Sequence, residues 1–88
     1  MKEKIKEKVD FLEEEIAEEI ASIEGALDRL KHTLQAKKYI KAMTHAGQIE
    51  AYAGMINENL WRIAILLVAE EEYGRKDYKR NEMDKEKN

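Results

Sequence analysis

Apolar residues recur through the first third of the chain at Ile5, Val9, Leu12, Ile16, Ile20, Ile23, Leu27, Leu30 and Leu34. Their steps of three and four average about 3.6, the period of an α-helix, and predict a first helix over about residues 3–35. The other faces of this segment carry Glu7, Glu14, Glu15, Glu18, Glu19 and Lys31, so the helix is amphipathic and has one side to bury. The stripe breaks after Leu34 at the polar run Gln35 to Lys38, and a new apolar register opens at Tyr39. A turn at 35–38 follows. Lys31, Lys37 and Lys38 suit the negative dipole end of the first helix. A rival turn at 44–48 would use Thr44 as N-cap and Gly47 as breaker.

The second helix, expected over about residues 39–73, organises the rest. Ala46, Ala53, Leu60 and Leu67 repeat every seven residues, with Ile49, Ile56 and Ile63 between them, the spacing of a packed helical seam. From Leu60 to Ala69 only Arg62 is polar, so Trp61, Ile65, Leu66 and Val68 are apolar on faces that this seam leaves open. A helix apolar all round is buried all round. Each such side chain contributes about 1.5–3 kcal/mol on burial, so these four are the expected oligomer interface. The fold class that follows is all-α: a long antiparallel helical hairpin assembling through helix 2 into a homo-oligomeric four-helix-type bundle, a dimer or tetramer.

With the turn at 35–38, facing residues have numbers that sum to about 73. Leu30 is then expected against Met43, Leu12 against Leu60 and Ile5 against Leu67, with Gly74 as C-cap of helix 2. Residues 1–74 form the hairpin domain in this reading, and residues 75–88, RKDYKRNEMDKEKN, a charged C-terminal tail or helix extension.

Composition supports helices and narrows the chemistry. The 88 residues include no proline, four glycines and 40% charged side chains, which suits long solvated helices, and this length leaves a thin core that oligomerisation commonly completes. The absence of cysteine excludes thiol chemistry, disulfides and cysteine zinc sites, and fits a reducing compartment. MKEKIKEK has no apolar run behind it, and the ten residues from Leu60 to Ala69 are about half of the ~20 that span a bilayer. A cytoplasmic protein without membrane contact is expected. The net charge of −3 conceals segregation: Asp10 to Glu24 holds seven acids and no base, whereas Arg29, Lys31, Lys37, Lys38 and Lys41 cluster near the turn.

Beside the predicted seam runs a second stripe: Lys41, His45, Gln48, Tyr52, Met55, Asn59 and Arg62. Facing a neighbouring subunit, Lys41, His45, Gln48, Tyr52, Asn59 and Arg62 would line a groove suited to an anionic, ring-bearing small molecule such as a nucleotide, with cations for phosphate and a tyrosine face for stacking. The plainer reading makes them boundary residues with polar tips in water. Arg62 has Glu58 one turn away as a helical ion-pair partner. Gly47 and Gly54, with Ala51 between them, point to a close neighbour, a helix in the plainer reading and a ligand in the sharper one.

Neither histidine, His32 or His45, belongs to an HExxH or ExxH pattern, so no metal and no cofactor is expected. Ser22 is the lone serine, no phosphate-binding glycine loop occurs, and Glu15 with Glu18 supplies only the ExxE half of the paired-carboxylate pattern of small helical pyrophosphohydrolases. Catalysis is not expected. The expected function is a small non-enzymatic, homo-oligomeric binding protein acting stoichiometrically. It would sequester an anionic nucleotide-like molecule between subunits, in the manner of inhibitors or sponges carried by phages and mobile elements. The alternative is a protein–protein inhibitor or adaptor that uses the acidic waist, Glu13 to Glu19. In architecture alone the hairpin resembles Rop-type dimers, which would imply nucleic-acid binding through the basic end; the acidic waist opposes that third reading.

Overall fold

The computed structural model describes the backbone of residues 2–87 and the side chains of residues 2–71. Two helices, α1 (Glu3–Gln35) and α2 (Tyr39–Lys87), pack side by side as an antiparallel hairpin, and no strand occurs among the described residues. α1 and the turn lie where the apolar pattern put them. Gly74 does not end α2, which continues through a stretch rich in Lys, Glu and Arg with no proline to stop it.

The turn closes with a Schellman motif. Lys38 N donates to Thr33 O at 2.8 Å and Lys37 N to Leu34 O at 3.0 Å, which satisfies the last carbonyls of α1. This geometry puts Lys37 at φ 57°, the left-handed region where glycine ordinarily sits. At the open end Lys2 N donates to Glu70 Oε1 at 2.8 Å and ties the start of α1 to α2. The register agrees with facing numbers that sum to about 73.

Which flank of each helix enters the seam differs from expectation. On α1 Val9, Leu12, Glu19 and Ala26 are buried, and Ile16, Ile23, Leu30 and Thr33, half-buried like Ile5, Glu15, Ser22 and Gly25, continue the same stripe, whereas Ile20, Leu27 and Leu34 point out. On α2 the seam is Ala42, His45, Ile49, Tyr52, Ile56, Asn59, Ile63 and Leu66. Ala46, Ala53, Leu60 and Leu67, the expected partners of those isoleucines, lie on the exposed side, as does Met43. Met43, Leu60 and Leu67, the expected seam partners of Leu30, Leu12 and Ile5, are thus turned away from the seam. The isoleucines serve either choice, because each has one neighbour three residues on and another four residues on that flank the same stripe. Packing takes the first, bringing Tyr52 and Leu66 inward where Ala53 and Leu67 would have gone.

The slab measures 78 × 18 × 11 Å across its Cα atoms, two helices wide and one deep. Among the described residues only Val9, Leu12, Ala26 and Ala42 are buried apolar side chains, and no large side chain is fully enclosed. Of the four expected interface residues, Trp61, Ile65 and Val68 are exposed, and Leu66 is half-buried in the seam.

Substituting Lys37→Gly removes the left-handed strain at the turn without touching the seam. Stability is expected to rise by about 1 kcal/mol, read as a higher urea midpoint with unchanged slope at fixed protein concentration; a lower midpoint would contradict the strain argument.

Candidate functional site

The seam has a polar centre. Asn59 and Glu19, 4% and 7% exposed, stand where apolar seam residues would otherwise sit, and Asn59 Nδ2 donates to Glu19 Oε1 at 2.8 Å. Glu19 Oε2 is buried and has no hydrogen-bond partner. On the far side Arg62 Nη1 approaches Asn59 Oδ1 at 3.4 Å, while Arg62 Nη2 donates to Glu58 Oε1 at 2.8 Å. The chain Glu58–Arg62–Asn59–Glu19 thus runs from solvent into the core. Its outer ion pair joins side chains that are 54% and 61% exposed and contributes only about 0.3–0.5 kcal/mol. The inner bond matters more, because a buried carboxylate that loses its donor keeps its full desolvation cost.

Two grooves open along one side of this network. The first, about 520 Å³, is walled by Phe11, Leu12, Ile65 and Leu66, with Glu7, Lys8 and Arg62 at its margins. The second, about 250 Å³, is lined by Glu15, Glu18, Glu19, Ser22, Tyr52 and Met55. Glu19 is the most deeply placed of those six. From Glu7 to Ser22 the two grooves follow α1 for about 22 Å at the helical rise. An apolar trough therefore leads into an acidic one that has a tyrosine ring on its wall and an unsatisfied carboxylate oxygen among its lining residues.

The expected ligand-binding residues do not converge on one small molecule. Lys41 and Arg62 are about 32 Å apart along α2. His45 Nδ1 lies 3.2 Å from Gln48 Oε1, a contact within one turn of the helix. Asn59 and Arg62 are engaged by Glu19 and Glu58, and Tyr52 shares its groove with three glutamates. Lys41 instead joins Lys37, Lys38, Tyr39 and Ile40 around an open concavity of about 420 Å³ at the turn, beside a first helical turn of α2 that carries no acid. His32 Nδ1 contacts Asp28 O at 2.8 Å on the surface. Among the described residues no cluster of three or more His, Cys, Asp or Glu is arranged to hold a metal ion, and no helix is long and apolar enough to cross a membrane.

Sequence reasoning missed the Glu19–Asn59 pair. By the sequence pattern alone Glu19 reads as one more acid of a solvated face and Asn59 as part of the polar stripe beside the seam. The signal was available: Glu19 follows Ile16 by three and Asn59 follows Ile56 by three, the same seam position on each helix. No protein-family model matches the chain, and no curated protein or solved structure is significantly similar to it.

Asn59→Leu leaves Glu19 buried without its donor and is expected to destabilise the hairpin by roughly 1–3 kcal/mol. Adding Glu19→Leu is expected to restore most of that loss, giving a strongly non-additive double-mutant cycle in urea unfolding. Additive losses would show that the two residues act independently.

Proposed function

We propose that the chain is a small non-enzymatic, homo-oligomeric binding protein of the cytoplasm that acts stoichiometrically, and that its target is a protein segment, a basic amphipathic helix held on the grooved face. The observation that carries this reading is the succession of an apolar groove and an acidic groove on one side of the hairpin. Their combined length of about 22 Å matches four turns of helix and exceeds the span of a nucleotide-sized molecule. Apolar anchors of the target would seat against Phe11, Leu12, Ile65 and Leu66. One or two turns later, an arginine or lysine would reach Glu15, Glu18 and Tyr52, gaining charge-assisted hydrogen bonds and a ring face. The acidic waist is thereby a recognition surface, the role first weighed as an alternative.

An anionic small molecule held between subunits is the second reading. It is favoured by the concavity at the turn, where Lys37, Lys38 and Lys41 surround Tyr39. Of the residues first considered for such a ligand, only Lys41 belongs to it. Native mass spectrometry of protein taken directly from cells tests this reading: a defined mass per site that disappears in a Lys37→Ala/Lys38→Ala variant supports it, and an unmodified mass under conditions that retain nucleotides removes it.

For the protein-target reading the probe is a synthetic amphipathic peptide of leucines and arginines, titrated calorimetrically. Binding is expected to weaken at least tenfold between low and high salt. The double reversal Glu15→Lys/Glu18→Lys is expected to cost at least another tenfold while leaving the helical circular dichroism unchanged. Equal binding of an acidic peptide with the same leucine pattern, or full affinity in the double reversal, would refute the proposal.

A further inference from the structure

We infer that a second copy of this chain docks on the face of the hairpin opposite the grooves, and that this face, not the Trp61 edge of α2, is the self-association surface. The inference rests on the reading that the chain self-associates, and it names the surface.

The argument begins with the residues that flank the seam. The grooves are bordered by residues lying four positions before a seam residue: Lys8, Glu15 and Ser22 on α1, Met55 and Arg62 on α2. Two facing antiparallel helices turn equivalent flanks to the same side, so the residues four positions after a seam residue form the other face of the slab. On α1 these include Ile20, Leu27 and Leu34, 45%, 41% and 50% exposed. On α2 they are Ala46, Ala53, Leu60 and Leu67, all on the exposed side. One face is thus grooved and charged, and its reverse carries a seven-residue apolar repeat on both helices. Glu13 and Lys6 are the charged residues at the same register on α1, toward the open end.

The relief of this face suits a copy of itself. In the hairpin register Ile20 stands beside Ala53 and Leu27 beside Ala46, so a ridge on α1 borders a trough on α2. A two-fold axis along the hairpin lays the ridge of one copy over the trough of the other, the isologous contact of a closed dimer. The area is sufficient: two helices about 50 Å long and about 10 Å wide present roughly 1,000 Å², above the ~800 Å² per partner of a standard stable interface. Pairing in this way converts a slab one helix deep into a four-helix bundle and leaves both grooves open to a target.

The test is the solution mass of the full chain by sedimentation equilibrium, for wild type and three variants. Ala53→Arg places a long charge at an exposed small residue where no contact within the chain is lost, Leu27→Glu does so on the ridge, and Trp61→Glu/Ile65→Glu alters the α2 edge. The wild type is expected as a multiple of 10.3 kDa, Ala53→Arg as a helical species of at most half the wild-type mass, and the edge variant at the wild-type mass. Leu27→Glu is expected to follow Ala53→Arg in mass or to lose cooperative folding. An Ala53→Arg protein that keeps the wild-type mass overturns the inference, and if the edge variant then dissociates, self-association itself stands on the other surface. A monomeric wild type overturns both. Loss of self-association in Ala53→Arg with peptide binding retained would separate this face from the grooved one.

Discussion

A helix with a single neighbour can bury only the strip of its circumference that faces it, and every other property of this molecule depends on that limit. The slab is one helix deep, so each helix must choose which part of a wide apolar stripe to turn inward. On both helices a row of isoleucines or equivalents is shared by two competing flanks, and the flank chosen is the less apolar one. It brings Glu19, Thr33, His45, Tyr52 and Asn59 toward the seam and leaves Ile20, Leu27, Leu60 and Leu67 outside. Hydrophobic burial within one chain does not favour such a choice. It becomes favourable when the outer flank is covered in its turn, because two layers then bury both flanks where one layer buries a single strip.

The polar pair at the centre gives the seam a specificity that apolar contacts lack. Isoleucines repeating every seven residues tolerate a slip by one heptad; a carboxylate and an amide buried at one level do not, since a slip strands both in an apolar environment. The same pair also divides the faces. The carboxylate joins Glu15, Glu18 and Tyr52 around one groove, and on the reverse side the corresponding flank is apolar over most of its length. A single decision about rotation therefore places the charged, grooved surface and the row of outward-facing apolar residues on opposite sides of the slab.

Charge segregation along the chain acquires its meaning from this arrangement. The seven acids between Asp10 and Glu24 look like one solvated face in one dimension. In the hairpin they part company: Glu15 and Glu18 border a groove, Glu19 is buried, and Glu13 falls on the side of the apolar flank. The basic residues near the turn remain together because a turn gathers whatever flanks it, and Lys37, Lys38 and Lys41 surround one concavity there.

The sequence by itself determined the helical class, α1 from Glu3 to Gln35, the place of the turn and the register, because each depends on local periodicity and on where the apolar pattern is interrupted. It also located Arg62 beside Glu58, a contact within one helical turn. Only the tertiary structure decided which flank of each helix faces inward, that Glu19 and Asn59 meet, and that the residues of the Lys41–Arg62 stripe serve separate contacts. Those outcomes turn on rotations of about 50°, half the angle between successive residues of a helix, and a pattern in which residues three and four positions away are both admissible does not distinguish them. The choice is made by the shape and hydrogen-bonding demands of the facing helix, which no single stripe of sequence contains.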